Sequence, residues 1–177
     1  VFDVEADGMT FLSDSVRVEE VQVDADYRGL RVSFTGALGR TRIPIQIDIS
    51  FADENVPRPV EVVYPTLLGM PSPRLFGYPP EAVVAEKLLT MVVLDELNYR
   101  MKDFYDLWQI TSRLGFDGKV LQRAIRSAFQ KRHTNLPDAL PQALTDEFMT
   151  QHRPLWQTFL GKFLPESEVH QDFGEVI

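Results

Sequence analysis

Ile43, Ile45, Ile47 and Ile49 occupy every second position of the segment Thr41 to Ser50. Only an extended strand places such a series on one face; a helix would scatter it around its axis. The preceding segment, Tyr27 to Thr35, alternates in the same way and sets Leu30, Val32 and Phe34 on one side. Between the two lies Gly36-Ala37-Leu38-Gly39-Arg40, a short glycine-containing turn, so the pair is expected to form an antiparallel hairpin. Val16, Val18, Val21 and Val23 add strand character upstream, and the chain is strand-like to about Phe76.

A different grammar begins after a proline-rich stretch. Pro57, Pro59, Pro65, Pro71, Pro73, Pro79 and Pro80 punctuate the middle of the chain. Each lacks a donor and restricts the residue before it, which makes this an extended connection. Beyond it the apolar residues recur at helical spacing. A first helix is expected from Pro79 to about Leu97, with proline and Glu81 suited to its first turn. A second is expected from about Lys102 to Leu114, before Gly115, and a third from an Asp117 N-cap to about Arg132. The fourth helical region is Pro141 to Phe163, with a short helix after Pro165. The fold class is therefore α+β: a β-rich part over residues 1–78 and a helical half over 79–177 packed against it.

Composition narrows the function classes. The 177 residues suffice for a substantial core, and the apolar fraction of 44% is ordinary for a globular protein. There is no cysteine, hence no disulfide framework and no thiolate chemistry. His133, His152 and His170 show no metal-ligand spacing. No apolar run reaches membrane-spanning length and no signal peptide is visible, so a cytoplasmic protein is expected. A net charge of −8 argues against a surface that coats nucleic acid indiscriminately. Lys119, Arg123, Arg126, Lys131 and Arg132 nonetheless crowd one segment. They read as a solvated helix face, with an RNA-phosphate surface as the functional alternative.

Three groups of residues could carry chemistry. Asp48 interrupts the isoleucine series on its opposite face, beside Gln46. A mid-strand carboxylate is disfavoured by propensity, and from spacing alone it reads as part of a solvated sheet face. Lys87 falls among Val83, Val84, Met91 and Leu94 on the apolar side of the first helix. There it either snorkels to water or reaches a phosphate. Arg100, Lys102, Asp103 and Asp106 form an R-x-K-D-x-x-D cluster beside the stripe Phe104, Leu107, Trp108 and Thr111. Dipole complementation by Asp103 and a Lys102–Asp106 surface pair explain part of the cluster but not all of it. Asp24-Ala25-Asp26 and Glu5-Ala6-Asp7-Gly8 read as solvated loop and turn.

The R-x-K-D-x-x-D run resembles the last motif of the AbiEii-type nucleotidyltransferases, toxins of bacterial toxin–antitoxin and abortive-infection systems. The segments 30–34 and 38–49, Tyr64-Pro65-Thr66-Leu67-Leu68, and Val83-Val84-Ala85-Glu86-Lys87 follow in the order of that family. The resemblance spans roughly the middle two-thirds of the chain, and an ordered set of motifs is more specific than any one of them. It implies a partial nucleotidyltransferase-type mixed sheet followed by helices. It also implies transfer of a nucleotidyl group from a nucleoside triphosphate to an RNA, such as tRNA, or to a protein, with Mg2+ as cofactor and a cognate antitoxin as partner. By the same resemblance Asp48 is the third metal carboxylate, and Asp48, Lys87 and Asp103 are catalytic; because Asp48 faces away from its isoleucines and Lys87 interrupts an apolar helix face, the three are expected to converge on one cleft between the sheet and the helical half. Arg100 and Lys102 contact phosphate and Asp106 braces them. The family's opening glycine-rich turn and Asp-x-Asp pair have no counterpart here, and Val1-Phe2-Asp3 reads like the interior of a longer polypeptide. The chain alone is accordingly expected to be inactive. The alternative is a degenerate nucleotidyltransferase fold kept for binding nucleotide or a protein partner.

Overall fold

A computed structural model describes residues 8–24, 27–51, 57–67, 69–163 and 173–175. The chain divides into two compact units, Val1–Asp53 and Glu54–Ile177. Strands precede helices throughout, and the α+β class holds.

The first unit is a meander of β1 (Met9–Asp24), β2 (Tyr27–Leu38) and β3 (Thr41–Ser50), in that spatial order. Strand β2 continues to Leu38, so the turn is the pair Gly39-Arg40 and not the five residues expected. Gly39 takes φ +58°, the left-handed start that two-residue hairpins require and that glycine adopts without cost. This tight turn fixes the register: Phe34 opposes Ile45, Val32 opposes Ile47 and Leu30 opposes Ile49. All seven apolar side chains of the two alternating series therefore share one face of the sheet. Phe11 closes on Phe34 edge to face, with ring centroids 5.7 Å apart. The opposite face is polar and carries Arg31, Gln46 and Asp48.

The second unit opens with a short antiparallel ladder, β4 (Val60–Val63) and β5 (Arg74–Gly77). Every pairing among the described residues is antiparallel, so the mixed sheet of the expectation has no parallel pair there. The change to helix falls between Gly77 and Pro80.

Helix α1 (Pro80–Leu94) starts on Pro79, whose carbonyl accepts from the amides of Ala82 and Val83. It ends earlier than expected. Asp95 adopts φ +45°, its amide donating to the Met91 carbonyl, and a 3-10 turn over Asp95–Leu97 follows. Helix α2 (Met101–Arg113) and helix α3 (Gly118–Lys131) lie close to their expected spans. Asp117 caps α3 by accepting from the amides of Lys119 and Val120 at 2.8 and 3.1 Å. The region expected as a fourth helix splits into a 3-10 turn at Gln142–Leu144 and helix α4 (Asp146–Phe163), with the Thr145 hydroxyl accepting from the Phe148 amide. Of the tail, Phe173–Glu175 forms a 3-10 turn, and the rest of the helix expected after Pro165 lies outside the described residues.

Two cores hold this unit together. Ala85 and Leu89 of α1 pack on Ala124, Ala128 and Phe129 of α3, where the alanines let the helix backbones approach closely. Met91, Met101, Phe104, Phe148, Trp156 and Phe173 form the larger cluster. Trp156 is wholly buried and stacks on Phe173 at 4.8 Å between centroids. Helix α1 thus contributes to both cores, with α3 on one of its sides and α2 on another. Among the described residues no helix is long and apolar enough to cross a membrane.

Candidate functional site

The α1–α2 contact carries an ion network built from the residues singled out in the sequence. Lys87 stands midway along α1, its side chain 17% exposed. Its ammonium donates to Asp103 Oδ1 at 2.6 Å and to Asp106 Oδ2 at 2.8 Å. Asp103 and Asp106 are three residues apart on α2 and so face α1 together. Lys102 reaches the same Asp106 oxygen from the solvent side at 2.6 Å, and Arg100 Nη1 lies 3.7 Å from Asp103 Oδ2. Three cations therefore surround two carboxylates, leaving one positive charge in excess.

Burial weakens the Lys87 ammonium, but the hydrogen bonds and charges of Asp103 and Asp106 outweigh it and raise the pKa above its ordinary 10.5. Burial likewise pushes the Asp106 carboxyl up, and Lys102 and Lys87 together bring it below its ordinary 3.8. The ammonium and this carboxylate are thus both charged at neutral pH. Lys87 has three N–H donors, and two are taken by Asp103 and Asp106. The third makes no hydrogen bond within the described residues.

The loop before α2 is fixed by Asn98, which is wholly buried and accepts from the Arg100 amide at 3.0 Å through Oδ1. This bond sets Arg100 and Lys102 at the mouth of a groove of about 760 Å³ between α2 and α4. Tyr105, Leu155 and Phe159 form its apolar wall, with Asp103, Asp106 and Lys162 also lining it. Tyr105 and Phe159 have ring centroids 5.9 Å apart.

Asp48 sits in the other unit, on the polar face of β3. Its two oxygens accept from Arg31 Nε and Nη2 at 2.8 and 2.9 Å, and Gln46 adds a longer contact. The Arg31 hydrogen bond holds the Asp48 carboxyl below its ordinary range. A magnesium site needs several oxygen ligands. Among the described residues no group of three or more His, Cys, Asp or Glu side chains gathers, and Asp48 is already held by a bidentate guanidinium. Asp48 does not by itself complete a site for the ion, whose other ligands would be phosphate oxygens and water, and no step is assigned to it.

The structure thus brings five of the six expected site residues, Lys87, Arg100, Lys102, Asp103 and Asp106, into one network and places Asp48 on a separate unit. Two contributions were missed in the sequence. Arg31 lies opposite Asp48 because of the two-residue turn, and counting outward from Leu38–Thr41 finds it. The α4 wall has no local signature, since Leu155 and Phe159 read as ordinary core spacing. Asp24 closes β1, and Ala25 and Asp26 lie outside the described residues, as do Glu5, Ala6, Asp7 and His170.

Residues 3–177 match the family model described as nucleotidyl transferase AbiEii toxin, type IV TA system. The match is wider than the motifs quoted above. No curated protein and no solved structure shows significant similarity to the chain.

Proposed function

The chain belongs to the AbiEii nucleotidyl transferase toxin family, and on that premise we propose that it transfers a nucleotidyl group from a nucleoside triphosphate to an RNA acceptor, with tRNA the leading candidate and a protein side chain the second. The observation that carries this reading is that Asp103 and Asp106, the two carboxylates that hold the Lys87 ammonium, also line a basic-lipped, aromatic-walled groove. The wall of Tyr105, Leu155 and Phe159 suits a base and ribose, and the lip of Arg100 and Lys102 suits phosphates.

In this reading Asp103 and Asp106 orient Lys87, and its remaining N–H takes a phosphate oxygen. Lys102, 73% exposed and using one donor on Asp106, has two donors for the same anion. The acceptor oxygen attacks the α-phosphorus in line while the bond to pyrophosphate breaks. The residues act by positioning and by neutralising the charge that gathers on the departing oxygens. Magnesium belongs to the reading as the ion of the triphosphate, with Asp48 its candidate ligand within the first unit. The cognate antitoxin is the expected protein partner, and the cytoplasm the expected place of action.

Incubating the whole protein with α-labelled nucleoside triphosphates and either tRNA or a protein mixture tests the proposal. Label entering RNA is the expected result, and label entering protein selects the second acceptor. Label staying in the nucleotide in every arm overturns transfer and leaves a binding module.

A further inference from the structure

Helix α3 carries a second feature that the transfer site does not use. Lys119, Arg123 and Arg126 are all exposed, and their spacing of four and then three residues aligns them on one stripe. Gln130 continues the same line and is also exposed. Ala124, Ala128 and Phe129, which bury the helix against α1, point to the other side. From Gly118 to Lys131 the helix contains no Asp or Glu, in a chain whose net charge is −8. None of the three cations has an acidic partner among the described residues. Lys131 and Arg132 are half-buried and engaged within the chain, and so stand apart from this stripe.

We infer that the Lys119–Arg123–Arg126 face of α3 is a docking surface for the sugar-phosphate backbone of an RNA. The stripe spans about 10 Å at the helical rise of 1.5 Å per residue. It holds flexible cations and a neutral amide donor but no aromatic or aliphatic anchor. Protein interfaces are depleted of lysine and seat their arginines among buried aromatic anchors, and no aromatic side chain stands on this stripe. Backbone recognition needs only positive donors at intervals along a line. The net charge of −8 repels a polyanion from the surface at large, which favours contact along a stripe of cations such as this one. The same helix packs on α1, which carries Lys87, so a backbone held here belongs to the unit that contains the transfer groove. The choice of RNA over another polyanion rests on the transfer reading.

The test uses the whole protein, a fluorescent tRNA and anisotropy titrations over a range of salt concentrations. Lys119→Gln/Arg123→Gln/Arg126→Gln keeps good helix formers at three exposed positions. It should weaken tRNA binding at least about tenfold near 0.1 M salt and flatten the dependence of log K on log salt by about 2 to 3. The charge-keeping variant Lys119→Arg/Arg123→Lys/Arg126→Lys should bind as the parent does. Nucleoside triphosphate binding, titrated separately, should be unaltered in both. Parent-like tRNA affinity and salt slope in the triple glutamine variant would overturn the inference. So would a variant that keeps tRNA and loses the antitoxin, which makes the face a protein surface. Failure of the parent to bind tRNA while it binds nucleotide would also overturn it and leave the groove standing. Failure of nucleotide binding with tRNA binding intact would count against the transfer reading alone.

Discussion

Lys87 on α1 and Asp103 on α2 meet at 2.6 Å, both only 17% exposed, in a unit where the same two helices also share the apolar cluster of Met91, Met101 and Phe104. A lysine in such a place could have been a packing stem that snorkels to water. It is instead held at its charged end by two carboxylates, one of which is shared with Lys102. That arrangement changes what removal of the charge does. Lys87→Met keeps most of the stem but leaves Asp103 and Asp106 facing each other without their shared cation. A fully buried pair broken this way costs more, and an exposed one less, so this partly buried network should lose about 1–3 kcal/mol. Urea unfolding of the parent and the variant measures it, and an unchanged midpoint and slope would show that the network adds nothing to the fold.

The pH dependence follows from the same pair. Lys87 has a raised pKa in the folded protein, so its contribution to stability is complete below 10.5 and is lost as pH rises through the folded value. Asp106 has a lowered pKa, so its contribution is complete above 3.8 and is lost as pH falls through the folded value. Thermal unfolding between pH 5 and 9, on the order of the plateau where both are charged, should vary little on account of these two groups. In Lys87→Met the alkaline fall contributed by the pair should disappear. A variant retaining the parent's full alkaline fall would place that titration elsewhere.

Asp117 offers a purely structural check. Its carboxylate accepts from two amides in the first turn of α3, and nothing else in the network depends on it. Asp117→Ala should cost about 1 kcal/mol of stability. Helical content at low temperature should stay near the parent value. A neutral substitution would mean that water replaces the cap.

Much of this architecture was legible in the sequence. The isoleucine series carried its own register once paired, because a strand's side-chain period of two leaves a buried face no freedom to slip. Asp117 announced its helix because the capping chemistry is local to the cap and the next turn. Lys87 stood out because an ammonium among Val83, Val84, Met91 and Leu94 needs a partner. What was not legible depended on distant geometry. The bidentate grip of Arg31 on Asp48 required knowing that the turn has two residues. The α4 wall required knowing how helices far apart in sequence pack. The early end of α1 depends on a positive φ at Asp95, which no residue type there signals strongly.

Asp48 and Arg31 set up a further test. The pair lies on a solvated face, so Asp48→Asn should leave the thermal midpoint of the protein near that of the parent. If Asp48 serves the triphosphate's metal, the same change should abolish transfer at low magnesium and be partly relieved at high magnesium. Transfer equal to the parent's at every magnesium concentration would remove Asp48 from the chemistry and leave it as Arg31's partner on the sheet.

The central claim is that Lys87 grips the triphosphate through the one donor its carboxylates leave unused. Single-turnover nucleotidyl transfer by the whole protein, comparing the parent with Lys87→Met at a temperature where both are folded by circular dichroism, tests it most directly. The account predicts a rate lower by about two orders of magnitude or more, the loss of roughly 3 kcal/mol of electrostatic stabilisation. A folded Lys87→Met protein that transfers nucleotide at nearly the parent rate would contradict it and leave Arg100 and Lys102 as the phosphate-binding groups of the groove.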